Sequence, residues 1–342
     1  MPAEVLDTTV TVRPAGPQDV AAIANILLLD AGERCAADPG LWGLVGNAQE
    51  KVVSSIRSAM KAETPPLRQQ WLVAEAEGQI VGVTHSILLP VPPIYAGELG
   101  PPGLIMEDCH VSPVAPPSTR EKLFQATQAD LIGVGARLLL ASSVAGGSWE
   151  SEYVAQGFEP VTLYYAKTGL CLSAGHADTR PATETDVTKI VASSALNRRI
   201  LQDLHPTFWK THKNADAHFE GWMKHSLSLI DRDMFVAETG NRFEGYAISQ
   251  PATWLHFPSA HDISDIGVID DFFHVDLMNP PGASSGNASS MALLVEAEAA
   301  RQERGDRSVL VVCPAAWRAK IDLLEKAGYR KAITWLIKII GQ

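Results

Sequence analysis

Two parts of the chain repeat the same residues in the same order, and this repetition limits the folds that the chain can adopt. The first part contains Arg13-Pro14-Ala15 with Asp19, then Val73-Ala74-Glu75, His110-Val111 and Gly157-Phe158. The second part contains Arg180-Pro181-Ala182 with Asp186, then Val236-Ala237-Glu238, His274-Val275 and Gly328-Tyr329. The offset stays within about 163 to 171 residues at four places, which predicts a tandem duplication of one fold.

The length of 342 residues suits two domains, each long enough to bury its own core. We place the domains at residues 1–170 and 177–342, because small residues between Thr168 and Asp178 are typical of a linker. The two copies are expected to be able to pack against each other as an internal pseudo-dimer.

The composition is that of a soluble globular protein, with 46% hydrophobic and 20% charged residues. A net charge of −11 argues against nucleic acid as the main partner, because phosphate binding needs a basic surface. No apolar run approaches the length of a membrane span, and the N-terminus lacks the pattern of a signal peptide. Four scattered cysteines are typical of reduced thiols, so we expect a cytoplasmic location and no membrane partner.

Each copy is predicted to contain a strand, helices, a hairpin, a fourth strand, a long helix, a strand, a short helix and a last strand. The fourth strands are predicted at Leu104–Val111 and Val268–Leu277. The long helices that follow are predicted at 118–133 and 288–304. Gly157 and Gly328 are expected to end the short helices.

This order resembles the GNAT superfamily of acyl-CoA N-acyltransferases. The resemblance is carried by the fourth strand, a loop of small residues, a helix, a strand, the helix end Lys326-Ala327-Gly328-Tyr329 and a last strand with Lys338. It implies an α/β (α+β) fold of two tandem GNAT-like domains, each a mixed twisted sheet with helices on both faces. In this family the sheet opens after the fourth strand, and the pantetheine of the acyl-CoA lies in that opening.

The resemblance also implies an activity: transfer of an acyl group, expected to be acetyl from acetyl-CoA, to a small-molecule or peptide amine. No metal is implied. An alternative of another class is a non-catalytic acyl-CoA-binding or scaffolding protein built from two degenerate acyltransferase domains.

The expected pyrophosphate loop of the family, Gln/Arg-x-x-Gly-x-Gly/Ala, is partly present in the second copy. Ala283 stands where Gln or Arg is usual, and the matching residues are Ser284, Ser285, Gly286, Asn287, Ala288 and Ser289. Unpaired backbone N–H groups at a helix start favour an anion. The resemblance further implies cofactor contacts at the end of the fourth strand, at Phe273, His274 and Val275.

The first copy departs from this loop pattern. Pro116 and Pro117 remove two N–H donors, and no glycine is present. Ser118 and Glu121 have the spacing of a capping box, which would use the remaining donors within the helix. We therefore expect the second copy to bind acyl-CoA and the first copy to be degenerate in cofactor binding.

The family uses a carboxylate on the fourth strand as base, and this points to Asp271 and, at the corresponding position of the first copy, to Glu107. Asp270, His274 and Asp276 are alternatives. Strand alternation would place Asp271, Phe273 and Val275 on one face and Asp270, Phe272 and His274 on the other. Each carboxylate can also be read as a solvated group at a strand end.

A tyrosine four residues before the Gly-Phe/Tyr pair often serves as acid in the family. The first copy has Tyr153 there, whereas the second has Leu324. Tyr153 can equally be a core residue.

The segment 205–225 contains four histidines, together with Phe208, Trp209 and Trp222. The histidines are six or seven residues apart, which is too far along a helix for one metal ion. The segment is expected to be a lid over the acceptor site or a partly buried amphipathic helix.

Overall fold

The computed structural model describes residues 9–61, 67–170, 178–278 and 288–341, and we call 9–170 the N-terminal half and 178–341 the C-terminal half. The N-terminal half contains β1 (Thr11–Pro14), α1 (Val20–Ala37), α2 (Ala48–Lys61), β2 (Gln69–Ala76), β3 (Gln79–Leu88), β4 (Gly103–Ile105), β5 (His110–Val111), α3 (Thr119–Gly133), β6 (Leu138–Val144), α4 (Ser148–Ala155) and β7 (Glu159–Thr168). The C-terminal half contains β8 (Thr179–Pro181), α5 (Val187–Leu204), α6 (Ala215–Ser226), β9 (Asp233–Thr239), β10 (Arg242–Pro251), β11 (Ile266–His274), α7 (Ala288–Glu303), β12 (Ser308–Pro314), α8 (Arg318–Lys326) and β13 (Arg330–Ile339). None of the helices in these ranges is long and apolar enough to cross a membrane.

Helices cover both faces of the sheet, as the sequence predicts. Side chains alternate along β2, so that Val73 packs among residues of α1 and α2 on one face. Leu72 and Ala74 point to the other face and pack with Leu123 and Phe124 of α3. The sheet is therefore the middle layer of a three-layer α/β structure.

The described strands form one mixed sheet in which the two halves exchange their last strands. The order is β1-β2-β3-β4-β6-β13-β7-β12-β11-β10-β9-β8, with β5 beside β3. Thus β13 pairs with β6 of the other half, β7 pairs with β12 of the other half, and β7 and β13 pair with each other, all antiparallel. The sequence did not predict this exchange.

Side chains from both halves meet along the exchanged strands. Lys167 on β7 lies 2.7 Å from a carboxylate oxygen of Glu298 on α7, and the hydroxyl of Tyr329 donates to the other oxygen at 2.8 Å. The rings of Tyr164 on β7 and Trp335 on β13 pack at a centroid distance of 5.8 Å. The two halves therefore share one core at the centre of the sheet.

The repeated Arg-Pro-Ala pattern has a structural role. Arg180 donates through both Nη atoms to Asp186, at 2.7 and 2.8 Å, and also to Glu238 at 2.8 Å. This guanidinium holds the pKa of Asp186 well below its usual range. The corresponding residues of the N-terminal half form the same contacts, at 2.7, 3.0 and 3.2 Å. In each half the pattern fixes the first strand against the start of the first helix.

The sheet of each half diverges after a short parallel pairing. In the C-terminal half, β11 pairs with β12 over 266–269 only and then continues along β10. In that continuation Ile248 and Ser249 of β10 face Asp271 and Ile269, so Asp270 is the extra residue of a β-bulge. The predicted alternation along this strand is therefore wrong at Asp270, because alternation assumes a regular ladder.

Both predicted fourth strands are shorter in the structure. The C-terminal one ends at His274, and residues 275–278 form a short 3-10 helix. The N-terminal one is divided into β4 and β5. Ser86 of β3 pairs with Ile105 and Val83 of β3 pairs with His110, so three steps along β3 face five steps along the other chain segment. The intervening residues leave the ladder, and Glu107 is among them.

The predicted capping box at Ser118 and Glu121 does not form. Ser118 has helical backbone angles, φ −74° and ψ −5°, and makes no side-chain capping hydrogen bond. A capping side chain needs an extended backbone to reach the N–H two or three residues ahead. Glu121 instead accepts a hydrogen bond from Gln125 at 2.9 Å.

The strand exchange predicts that the halves hold together without a covalent link. We expect a chain cut at a protease site inserted between Leu170 and Asp178 to keep both fragments in one particle, because β7 and β13 each lie inside the other half. Size-exclusion chromatography in native buffer should show one peak at the position of the uncut protein, which is the control. Separate elution of the two fragments without denaturant would contradict the shared core.

Candidate active site

Each half has a cleft where its sheet diverges. The C-terminal cleft has a volume of about 380 Å³ and the N-terminal cleft about 400 Å³, sizes typical of small-molecule sites. The C-terminal cleft is lined by Pro92, Pro93, Ile94, Tyr95, Thr162, Ser194, Asn197, Arg198, Leu201, Trp209, His218, Phe219, Trp222, Asp270, Asp271, Val312, Pro314, Trp317 and Lys320.

Two consecutive carboxylates line the C-terminal cleft because Asp270 lies in the bulge. Asp271 Oδ1 accepts hydrogen bonds from Asn197 Nδ2 at 3.0 Å and from the Tyr246 hydroxyl at 2.9 Å. Asp270 Oδ2 accepts one from Gln250 Nε2 at 2.5 Å. The structure thus brings the predicted base and its nearest alternative to the same wall.

Burial raises the pKa of both carboxylates in this pair. Burial, and after it the charge of Asp271, raises the pKa of Asp270 to about 7. Burial also raises the pKa of Asp271, against the opposing effects of the Tyr246 hydrogen bond and of the positive charge of Lys320. A carboxylate that titrates near neutral pH is suited to take a proton from a bound group.

Lys320 on α8 is a site residue that the sequence reading missed. Its Nζ donates to the backbone carbonyl of Phe272 on β11 at 2.9 Å, and the side chain is only 3% exposed. Burial lowers the pKa of this amine. Lys320 lies one helical turn before Leu324, and a lysine on an otherwise buried helix face was the available signal. Near it, Trp317 Nε1 donates to the carbonyl of Leu277 at 2.9 Å.

The histidine- and aromatic-rich segment forms one wall of this cleft. Within it, α6 contributes Phe219, Trp222 and His218, and the preceding loop contributes Trp209. The rings of Phe219 and Trp222 stack at 5.7 Å. The segment is amphipathic, with Phe219 buried and His218 exposed, so both predicted descriptions of the segment fit its position.

A loop of the N-terminal half closes the cleft of the C-terminal half. Tyr95 forms an antiparallel bridge with Thr211, and Ala96 N–H donates to the carbonyl of Lys210 at 2.7 Å. His218 Nδ1 lies 2.8 Å from the carbonyl of Pro93. The sequence gave no sign of this contact, because it joins residues that are more than 100 positions apart.

The N-terminal cleft has Glu107 at the position that corresponds to Asp271, but with different partners. Arg34 Nη1 donates to Glu107 Oε2 at 3.0 Å, and Ser142 Oγ donates to Oε1 at 2.7 Å. Burial raises the pKa of Glu107 to about 7, while Arg34 acts in the opposite direction. Both oxygens of Glu107 are thus engaged within the protein, and its assignment as a base stays a prediction.

Three potential metal ligands lie at the mouth of the N-terminal cleft. One ligand atom from each of Asp30, Glu33 and His110 lies within 4.8 Å of the others. Arg34 Nη2 lies 2.7 Å from a carboxylate oxygen of Asp30, so a guanidinium group already pairs with this carboxylate.

Tyr153, the predicted acid, lies in the core of the N-terminal half. It has no exposed surface and packs against Phe124, Trp149 and Phe158, with ring centroids 5.7 to 6.0 Å away. Burial raises its pKa well above the usual value for tyrosine. This position fits the core reading that the sequence left open, and an acid role stays a prediction.

Comparison with solved structures identifies the fold. A tandem GNAT protein from the clavulanic acid biosynthesis pathway aligns with a TM-score of 0.52 and 13% identity, over 98% of this chain and 99% of that chain. A GCN5-related N-acetyltransferase from Sphaerobacter thermophilus aligns with a TM-score of 0.55 and 16% identity, over 97% and 96%. The chain has the tandem GNAT fold. No protein-family model and no curated protein matches the sequence.

The predicted cofactor contacts fall into three groups: residues at the end of β11, residues at the start of α7, and residues outside the described ranges. Phe273 and His274 are fully buried at the end of β11, and Val275 begins the 3-10 helix. Ala288 and Ser289 begin α7, and the hydroxyl of Ser289 is buried without a partner among the described residues. Ser284, Ser285, Gly286 and Asn287 lie outside the described ranges.

The Arg34–Glu107 pair of the N-terminal cleft predicts that removal of Arg34 will lower the stability of the protein. We expect Arg34→Met to destabilise the protein by about 3 kcal/mol, because Glu107 would remain buried without its positive partner. Its folded-state pKa, already above the unfolded value, would rise further, so the loss should be larger near about pH 8 than near about pH 6. Urea unfolding at both pH values measures this.

The matched control is Arg57→Met, which changes an exposed arginine on α2. Equal unfolding midpoints for the two variants at both pH values would mean that the Arg34–Glu107 pair carries no net stability.

Proposed function

We propose that the protein transfers an acyl group, acetyl in the simplest case, from acyl-CoA to a small amine bound in the C-terminal cleft. One observation carries the proposal: on a GNAT fold, two adjacent carboxylates line the cleft where β11 and β12 diverge. The acyl-CoA thioester would supply an activated carbonyl. What the protein must provide is a position for the amine and a group that takes its proton.

The carboxylate pair has the properties of such a group. An amine reaches the site mainly as ammonium, and it becomes nucleophilic only after losing a proton. We assign Asp271 as the base, with Asp270 as its titrating partner, since the pKa of Asp270 is raised to about 7. Asn197 and Tyr246 fix the orientation of Asp271 through hydrogen bonds. The ammonium first gives one proton to the carboxylate pair. Attack then forms the C–N bond and breaks the C–S bond, and the second proton that the nitrogen loses passes to the leaving thiolate, which departs as free thiol.

The leaving thiolate needs no tyrosine in this arrangement. Leu324 occupies the position where the family resemblance implies one, and Lys320 lies one turn earlier on the same helix. Its side chain lines the cleft, and we assign it to stabilise the negative charge of the leaving thiolate. The residues for holding the acyl-CoA itself would be those at the start of α7, where the unpartnered Ser289 hydroxyl fits an anionic group.

A second candidate is a protein that binds acyl-CoA, or only acts as a scaffold, without turnover. One observation favours it: Trp317 and Lys320 already occupy backbone carbonyls of Leu277 and Phe272 beside the opening. A pantetheine lying there would have to compete for these carbonyls of β11 and of the 3-10 helix that follows it. This candidate predicts no acyl transfer to any amine.

Turnover in an Asp271 variant separates the two candidates. We expect acetyl-CoA-dependent release of free thiol in the presence of a panel of amines, and a loss of at least about 100-fold in kcat/KM in Asp271→Asn. The control is Glu33→Gln, which changes an exposed carboxylate of the N-terminal cleft. Turnover that survives in Asp271→Asn would reject Asp271 as base, and absence of turnover in the unchanged protein would favour the second candidate.

The positive charge of Lys320 predicts an effect on the pH dependence of activity. Its positive charge lowers the pKa of Asp271, so Lys320→Met should raise that pKa and move the acidic limb of the pH–rate profile to higher pH by about one unit. Activity needs the ionised carboxylate, so the variant should be most impaired at low pH. Lys326→Met, on the same helix but exposed, is the control. An unmoved acidic limb in Lys320→Met would show that the lysine does not act on the base.

A further inference from the structure

We infer that the acceptor is a primary amine carried on an apolar, aromatic-sized body, held between the two halves of the chain. This inference rests on the proposed function for the reaction, but the binding it describes is independent of acyl-CoA. The ammonium end is assigned to the wall of Asp270, Asp271 and Asn197. The body is assigned to the part of the cleft lined by rings, among them Tyr95, Trp209 and Trp222.

The first argument concerns hydrogen-bond acceptors that lack donors. Asn197 is 7% exposed, and its Nδ2 is used by Asp271, which leaves its Oδ1 buried without a partner in the part of the chain that the structure describes. Asp270 Oδ1 is also buried without a partner there. An unsatisfied buried acceptor costs free energy that an incoming donor recovers. A primary ammonium offers three N–H donors and a positive charge, whereas a carboxylate, phosphate or ether offers none.

The second argument concerns the cations already in the cleft. Arg198 Nη1 donates to Ser194 at 2.6 Å, and Nη2 is paired with Asp216. Lys320 donates to a backbone carbonyl. One donor of these cations, Arg198 Nε, is buried without a partner among the described residues. Two acceptors, Asn197 Oδ1 and Asp270 Oδ1, are in the same state. The excess of free acceptors over free donors favours a cationic ligand over an anionic one.

The third argument concerns the remaining surface. Away from the carboxylates the cleft is lined mainly by rings, with Trp222 and Tyr95 partly exposed and Phe219 and Trp209 buried behind them. Rings attract both an apolar body and a nearby ammonium. The volume of about 380 Å³ admits a small molecule and not a folded partner.

Tyr95 gives the N-terminal half a direct part in specificity. Its side chain lines the same cleft as Asp271, and backbone bonds to residues 210–212 fix its loop. Burial, and after it the charge of Asp271, raises the pKa of the phenol. The acceptor wall is thus incomplete without the N-terminal half.

Calorimetric titration of the full chain without acyl-CoA tests the inference. The probes are 2-phenylethylamine, the uncharged 2-phenylethanol, spermidine and L-phenylalanine. We expect 2-phenylethylamine to bind at least about tenfold more tightly than each of the others, because only it combines an unaccompanied ammonium with an aromatic body. If L-phenylalanine binds more tightly than 2-phenylethylamine, Arg198 binds the carboxylate of the ligand. If spermidine binds more tightly, the positive charge of the ligand determines affinity without an aromatic body. Either result overturns the inference, as does no binding of any probe.

Two variants locate the site. Asp270→Asn should weaken 2-phenylethylamine by about tenfold or more and leave 2-phenylethanol unchanged, whereas Tyr95→Ala should weaken both. Glu33→Gln, in the other cleft, is the matched control and should match the unchanged protein. Thermal unfolding of each variant checks that it is folded. Equal affinities in all three variants would place any bound amine outside this cleft and overturn the inference.

The outcomes keep the two proposals apart. Binding of 2-phenylethylamine without its acylation by acetyl-CoA would refute the proposed function and leave the acceptor class standing. Acylation of spermidine or L-phenylalanine by a protein that does not bind 2-phenylethylamine would do the reverse.

Discussion

The exchange of the last strands is the constraint on which the rest of the structure depends. β7 is hydrogen-bonded to β12 along seven residue pairs, from Ser308 to Pro314, so β12 is held from the far side while β11 departs from it. β13 holds β6 in the same way in the other half. A parallel pair that separates part-way exposes backbone groups of both strands. In the C-terminal half the exchanged strand β7 satisfies the outer edge of β12 and β10 satisfies that of β11, so the two edges that face each other open to a cleft.

The two halves show how one position acquires different chemistry from its neighbours. Glu107 and Asp271 both follow the divergence, and burial raises the pKa of each. Arg34 neutralises Glu107 within the protein, so the N-terminal cleft is stabilised at the expense of a free carboxylate. The hydrogen bonds that Asp271 accepts come from the neutral donors Asn197 and Tyr246, and Asp271 lines a cavity. An arginine on α1 is therefore one electrostatic difference between the clefts, and the neighbouring Asp270 is another.

Most of the fold could be predicted from the sequence. The duplication, the order of elements, the helices on both faces and the resemblance to the GNAT superfamily are all confirmed by the structure, because they depend on patterns within each copy. The strand exchange was not predictable, since the pattern of residues within a strand does not specify which strand it pairs with. The bulge at Asp270 was missed because the period of two along a strand carries no sign of an inserted residue. For the site, the sequence pointed to Asp271 and its neighbours but not to Lys320 or Tyr95.

Tyr95 and its loop show why the N-terminal half would be needed even if it binds no cofactor. Loss of the N-terminal half would remove β7 from beside β12 and remove the loop from Pro92 to Tyr95 from the mouth of the C-terminal cleft. The carboxylate pair would then face water, and the desolvation that raises the pKa of Asp270 to about 7 would be lost. A duplicated half can therefore lose its own chemistry and still be required, because it supplies the low-dielectric surroundings in which the other half's carboxylates titrate near neutral pH.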